Sequence, residues 1–357
     1  MRRGLMGWNA EELPVAALHQ RAARLQAAMQ AGGLDAIVLY TNLVRPSAVY
    51  YLNGLTPYWS EGLLLLGRSG EPVFATALSN RVAKWMRSVS PVGEIANTPR
   101  PGTLIGERIA ADASARRIGI VELDTLPAGA YDDLAAAAPG SELVDATALF
   151  AQARRRVDET ERKLIARTDT MATAALAEVD PAAATDAGSV AGLVEKRARL
   201  DGAEEAYIMV APDLAADRRM IRASPTLPLG AVFAVRASIA YKGVWVRRTR
   251  TYAKEPAAQQ TIAGAETWFA QTLSSIAAGR PLGEQIAAAV KRLPGAATKS
   301  WMAESCLGTY PLQAIAGSQS PGNVSPADGN YLVVSLDVAV AGTPWLGAGP
   351  VVVGGSA

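Results

Sequence analysis

Apolar segments of strand length alternate with helix-forming segments along the first 150 residues, and this alternation constrains the fold most strongly. Residues 11–31 carry apolar residues at helical spacing and end at a Gly-Gly pair, which is a typical helix stop. A further helix is expected near 104–115. Buried strands are expected at 35–40, 62–66, 72–75 and 117–122. The pattern predicts an α/β domain over residues 1–150.

The second half of the chain has a different order of elements, in which two helices precede most of the strands. Asp158 is a candidate N-cap for a helix over 159–179. Further helices are predicted at 187–200, 257–278 and 283–292, and strands at 206–211, 231–240, 244–252, 331–340 and 350–353. We therefore predict an α+β domain over residues 151–357, with the charged stretch 151–160 as the linker.

The composition excludes several classes of protein. Half of the residues are hydrophobic and 19% are charged, which favours a folded core over disorder. A net charge of +2 gives no reason to expect nucleic acid or a membrane as a partner. No apolar run reaches the ~20 residues that span a bilayer, and the N-terminus lacks the apolar stretch of a signal peptide. We expect a cytoplasmic protein.

The chain contains one histidine, His19, and one cysteine, Cys306. Histidine is the usual proton shuttle near neutral pH and the commonest metal ligand. His19 lies in the first predicted helix, where we expect a surface position, so zinc fingers and histidine-based triads are excluded. Cys306 is expected to be a buried, inert thiol. Its alternative role as a nucleophile would require activation by nearby arginines.

Several segments, taken in their order and spacing, resemble one known family. They are residues 33–39, 51–55, 118–122, 158–161 and 241–252. Together they resemble the creatinase, aminopeptidase P and prolidase family over almost the whole chain. The resemblance implies a creatinase-N-like α/β domain over 1–150, a pita-bread domain over 151–357, and a dimer.

The resemblance also implies a metal site, which this chain does not match. Active peptidases of the family look like two-metal hydrolases that use two aspartates, one histidine and two glutamates. The corresponding positions fall at Arg236 and Arg247 for the aspartates, near Ser305 for the histidine, and near Ser335 and Gly347 for the glutamates. A further family histidine, on which the metal-free creatinase relies, is replaced around Arg219 and Met220.

Arginine at both aspartate positions opposes metal binding. A guanidinium has no lone pair to donate and stays protonated, with a pKa above ~12. At 4 Å and an effective dielectric constant near 20, each guanidinium opposes a dication by about 8 kcal/mol. We predict that this chain binds no metal and needs no other cofactor.

Two hypotheses remain for these arginines. Arg236 and Arg247 could pair with Glu304 and Asp337 and fill the former metal site, because a buried ion needs a partner. Alternatively they could hold a carboxylate or phosphate, with Arg250 as a third candidate. The family keeps an arginine at Arg250 irrespective of metal. Trp245 and Trp301 could line such a pocket, although core positions are more usual.

The leading functional hypothesis is a pseudoenzyme that serves as a structural or regulatory subunit, paired with itself or with a metal-competent paralogue. The alternative is a metal-independent hydrolase or binding protein for a small carboxylate or amide. No catalytic residue is identified. The candidate pocket residues are Arg219, Arg236, Arg247, Arg250, Ser305, Cys306, Ser335 and Asp337.

Overall fold

The computed structural model describes residues 8–354 except 43, 56–59, 223–226, 307–311 and 320–323. The chain forms two compact units. The first comprises Arg2–Arg155 and Cys306–Pro311, and the second comprises Arg156–Ser305 and Leu312–Ala357. In the described part of the chain, no helix is long and apolar enough to cross a membrane.

The first unit is a six-stranded sheet with helices on both faces. Its strands, in the order β4-β3-β2-β1-β5-β6, are β1 Ala36–Thr41, β2 Gly62–Gly67, β3 Val73–Thr76, β4 Glu94–Asn97, β5 Arg117–Val121 and β6 Glu142–Asp145. Its helices are α1 Val15–Ala31, α2 Ser47–Asn53, α3 Ala83–Val89, α4 Pro101–Ala110, α5 Ala128–Ala137 and α6 Thr147–Arg154. Helices α4 and α5 cover one face and the other four cover the opposite face.

Helix α1 has the predicted apolar stripe but a later start. It begins at Val15 rather than at residue 11, with Pro14 at the N-cap, because proline cannot donate the backbone hydrogen bond of a helix interior. His19 lies on its exposed side, 3.1 Å from a carboxylate oxygen of Glu71. At the other end of the unit, α6 continues to Arg154, so it includes the first residues of the predicted linker.

The second unit is an eight-stranded antiparallel sheet. Its strands, in the order β12-β11-β13-β14-β10-β9-β7-β8, are β7 Glu205–Ala211, β8 Ile221–Arg222, β9 Val232–Tyr241, β10 Val244–Ala253, β11 Ala296–Ser305, β12 Gln313–Gly317, β13 Tyr331–Val340 and β14 Thr343–Val352. Its helices are α7 Glu159–Ala177, α8 Ala187–Leu200, α9 Pro256–Ser274 and α10 Leu282–Val290.

Helix α7 is fixed at its start by a capping box, which confirms the predicted cap. The Asp158 carboxylate accepts from the Glu161 N–H at 2.8 Å, and the Glu161 carboxylate accepts from the Asp158 N–H at 3.2 Å. The Tyr252 hydroxyl of β10 then donates to the Leu176 carbonyl of α7 at 2.7 Å. This contact places Tyr252 on the face of the sheet that the helices cover.

Alternation along the strands decides which residues reach the other face. On β13, Val334, Leu336 and Val338 are buried in the core formed with α9 and α10. Ser335 and Asp337, which lie between them, are only partly buried. Because successive side chains of a strand point to opposite faces, Ser335 and Asp337 face away from the helices.

Candidate functional site

A cavity of about 870 Å³ lies on the helix-free face of the second unit's sheet. A row of directly paired residues crosses the sheet at this cavity. From β7 to β11 the row is Met209, Arg236, Thr249, Ala348, Ser335 and Met302. The sheet therefore brings together Arg236 and Ser335, two candidate residues that lie 99 positions apart in the sequence.

Arg236 lines the cavity, and the described protein groups satisfy only part of its hydrogen-bonding capacity. Its Nε donates to the Thr249 hydroxyl at 3.3 Å, and no described carboxylate lies within ion-pair distance of it. Burial, together with repulsion from Arg247, lowers the pKa of Arg236 to about 10, and attraction to Glu304 offsets this lowering only in part. A positive charge therefore stands in the cavity without a bonded counter-charge from the described residues.

Arg247 instead forms a buried ion pair. Its guanidinium donates to the Glu304 carboxylate through Nη1 and to the Ser238 hydroxyl through Nε at 3.0 Å. Glu304 is only 6% exposed. Strands β10 and β11 are separated in the sheet by β14 and β13, so the pair bridges two intervening strands. Glu304 is thus confirmed as a partner of one of the two arginines.

Asp337 was expected to pair with Arg236 or Arg247, and this expectation is wrong. Its carboxylate accepts from Arg218, which lies in the loop between β7 and β8 and also approaches the Val338 carbonyl at 3.5 Å. Strand periodicity placed Asp337 on the correct face, but it gives no information about which loop residue reaches that face. Arg218 is therefore the site residue that the sequence analysis missed.

Arg219 lies at the edge of the same cavity. Its side chain is 85% exposed, and it donates to the Asp217 carboxylate at 2.7 Å. Because both groups are solvated and paired with each other, Arg219 contributes little net charge to the cavity interior.

Four candidate residues do not line the cavity, namely the paired Arg247 and three others. Arg250 is exposed on the opposite face of β10, with its guanidinium 5.3 Å from the centre of the Tyr252 ring, because a step of one residue along a strand reverses the face. The Ser305 hydroxyl is buried and donates to the Tyr331 carbonyl at 2.6 Å. Cys306 is partly buried and belongs to the first unit. Residues 307 and 308 of its predicted motif lie outside the described residues.

Near the predicted glutamate position, Gly347 and its neighbour Ala348 lie on opposite faces of β14. A Cβ atom on Gly347 would lie 2.0 Å from the Trp345 ring, on the side of the sheet that α9 covers. The β14 residue on the cavity face is Ala348, which pairs directly with Ser335. This part of the cavity face therefore carries a methyl group and a hydroxyl rather than carboxylates.

One wall of the cavity is apolar. Its apolar residues are Met209, Met220, Met302 and Leu346. Trp301 borders the cavity, but its ring packs against the core formed with α9 and α10, where a Cβ atom on Gly283 would lie 3.2 Å from it. Trp245 is buried and stacks on Tyr207 at 5.5 Å, so both tryptophans occupy the core positions that are usual for such residues.

These residues do not fit a divalent metal ion. Among the described residues, no three histidine, cysteine, aspartate or glutamate side chains come together as metal ligands would. The two carboxylates nearest the cavity, Glu304 and Asp337, already accept from arginines. A guanidinium has no lone pair, and a single serine hydroxyl is a weak donor set for a dication.

Comparison with known proteins agrees with this fold. Residues 21–156 match the Creatinase/Prolidase N-terminal domain family. The structure is similar to a prolidase from Pyrococcus horikoshii OT3, with 15% identity, a TM-score of 0.69, and coverage of 94% of this chain and 95% of that one. It is also similar to an X-Pro aminopeptidase from Thermotoga maritima MSB8, with 13% identity, a TM-score of 0.72, and coverage of 93% and 94%. No curated protein sequence matches the chain.

A third similar structure is not described as a peptidase. It is the N-terminal domain of the FACT complex subunit SPT16 from Cicer arietinum, with 14% identity, a TM-score of 0.65, and coverage of 95% of this chain and 94% of that one. At such identities, these similarities establish the fold alone. The first unit is a creatinase/prolidase N-terminal domain and the second has the pita-bread fold, so the predicted resemblance and fold class are confirmed.

We predict that the charges of Arg247 and Glu304 are energetically coupled, so that each is tolerated only in the presence of the other. Arg247→Met or Glu304→Leu alone leaves one buried charge unpaired and should lower the free energy of unfolding by about 3–5 kcal/mol. The double variant removes both charges and should stay close to the wild-type value. Urea unfolding of the four proteins measures the coupling, and additive losses would show that the two groups do not interact.

Two serines of this region provide a matched test of hydrogen bonding. The Ser335 hydroxyl is buried without a partner among the described residues, so Ser335→Ala should raise the free energy of unfolding by about 1 kcal/mol. Ser305→Ala removes the bond to the Tyr331 carbonyl and should lower it by about 1 kcal/mol. A loss of stability in Ser335→Ala would mean that this hydroxyl has a partner in solution.

Proposed function

We propose that this protein is a metal-independent pita-bread pseudoenzyme that acts as a regulatory or structural subunit. The observation that carries the proposal is the buried ion pair between Arg247 and Glu304, with the second cation Arg236 nearby. A dication at this place would have to approach fixed guanidinium groups. Hydrolysis through a pair of metal ions is therefore not the reaction that we assign to this chain.

The retained framework supports a role in which the fold itself is used. The sheet, its helices and an open cavity persist although the donor set does not fit a metal ion. One of the similar structures is a domain of a complex subunit, so this fold occurs in a protein that works as part of an assembly. We propose that the partner is a second copy of this chain or a metal-competent paralogue, and that the protein is cytoplasmic.

A second candidate function is favoured by the charge of Arg236. An unmatched cation in a cavity of about 870 Å³ suits a metal-independent hydrolase or a binding protein for a small carboxylate or amide. The hydrolase and the binding protein differ in whether the bound molecule is converted to a product. A product that forms in the presence of a chelator and is lost in Arg236→Met would identify the hydrolase, whereas saturable binding without product would identify the binding protein.

We expect no hydrolysis of X-Pro dipeptides by the purified protein, with or without added manganese, cobalt or zinc. The reason is electrostatic, because the guanidinium groups repel the ions that such a reaction would need. The P. horikoshii prolidase, assayed in parallel, controls for substrate and metal. Metal-dependent release of proline above background would contradict the pseudoenzyme proposal.

The subunit role has its own test. Affinity purification of the tagged full chain from its native cells, followed by mass spectrometry and light scattering, should show a homodimer or a stoichiometric relative with intact metal ligands. A monomer that co-purifies with no relative would contradict the subunit role and leave the prediction about hydrolysis standing.

A further inference from the structure

We infer that the cavity of the second unit binds a singly charged carboxylate with an apolar body, and that Arg236 anchors its carboxylate. This inference rests on the binding candidate of the proposed function and gives it a ligand class. Three features of the cavity support it. They are the one positive charge that remains when the ion pairs are counted, the two terminal nitrogens of Arg236 that bond to no described residue, and the apolar side chains of the cavity wall.

Most charged side chains around the cavity form ion pairs with one another, and one described cation remains without such a partner. Arg218 is bonded to Asp337, Arg219 to Asp217, and Arg247 beneath them to Glu304. Among the described lining residues, Arg236 is the charged group without a bonded partner of opposite sign. One negative charge would therefore neutralise the site, whereas a dianion would bring a second charge for which no described cation is free.

The geometry of Arg236 suits a carboxylate. Its Nε is used by the Thr249 hydroxyl, whereas neither terminal nitrogen donates to an acceptor among the described residues. The two terminal nitrogens of a guanidinium form a planar edge that matches the two oxygens of a carboxylate. Thr249 fixes the orientation of this edge from the neighbouring strand, so the anchor is held in place before a ligand arrives.

The rest of the cavity favours an apolar ligand body. Met209 is paired with Arg236 across β7 and β9, so a thioether lies directly beside the anchor. Met302 and Leu346 line the same space farther along the sheet. Methionine side chains adapt to apolar ligands of different shape, and burial of such a ligand supplies free energy in proportion to its area. Inorganic phosphate could use the anchor but not this wall.

Calorimetric titration of the purified full chain with four probes tests the inference. The probes are octanoate, the neutral octan-1-ol, the dianion octanedioate and inorganic phosphate. Octanoate should bind at one site per chain, and each of the other three probes should bind at least about tenfold more weakly. A tenfold difference corresponds to about 1.4 kcal/mol, and a charge-assisted hydrogen bond contributes about that free energy or more. Octanedioate should lose affinity because its second carboxylate would lie against the apolar wall.

Variants locate the anchor. Arg236→Met should weaken octanoate binding about tenfold to a hundredfold and leave octan-1-ol binding unchanged, which also shows that the cavity is intact. Arg280→Met removes the same charge from an exposed position outside the cavity and should change neither. Equal binding of octanoate and octan-1-ol, or an Arg236→Met variant that retains octanoate affinity, would overturn the inference.

The remaining outcomes separate this inference from the proposed function. If phosphate binds more tightly than octanoate and depends on Arg236, the ligand class is wrong and the anion-binding candidate stands. If no probe gives saturable binding, both the ligand class and the binding candidate fail. Neither result bears on the pseudoenzyme proposal, which depends on the absence of metal-dependent hydrolysis.

Discussion

The ion pair between Arg247 and Glu304 is the interaction on which the account of this protein depends. It joins strands β10 and β11 across two intervening strands, in a place where Glu304 is 6% exposed. Removing two charges from water is unfavourable, so such a pair persists only where the geometry and additional hydrogen bonds compensate. The Ser238 hydroxyl supplies one such bond to Arg247. The pair thereby links strands that lie on either side of β13 and β14.

The same pair changes what the cavity can hold. It uses the carboxylate that could have attracted a cation, and it places a guanidinium beside Arg236, whose pKa is lowered by burial and by this neighbour. A site built from carboxylates attracts dications, whereas this one retains a single unmatched positive charge and an apolar wall. The residue types at a few positions of one sheet face therefore determine which charge the cavity can hold, independently of the fold.

Much of the fold could be predicted from the sequence because its elements have strong periodicity. Strand β13 has the predicted bounds of 331–340 and helix α8 the predicted 187–200, whereas β9 is shifted by one residue at both ends and β10 is longer by one residue at its end. Strand β11, by contrast, was not predicted. Its first half contains exposed alanine, threonine and lysine, and its sequence lacks the apolar alternation that indicates a strand. The strand that carries Glu304 was therefore missing from the prediction.

The candidate site was predicted less completely, for two physical reasons. The parity of strand positions decides the face, so a position predicted only as near Gly347 does not distinguish Gly347 from Ala348, which lie on opposite faces. The prediction likewise grouped Arg250 with residues of the opposite face. Loop residues have no such periodicity. The partner of Asp337 is Arg218, which the long connection between β7 and β8 brings to the cavity, and nothing in the local sequence specifies that contact.

The most direct test of the central claim is the metal content of the protein. The full chain, purified without chelators and equilibrated with manganese, cobalt, iron or zinc, is analysed for bound metal after removal of the free ions, and crystals of the same material are examined by anomalous scattering. The account predicts no stoichiometric metal in the second unit and an intact ion pair between Arg247 and Glu304. One or two ions per chain, coordinated on the cavity face of the sheet, would contradict it.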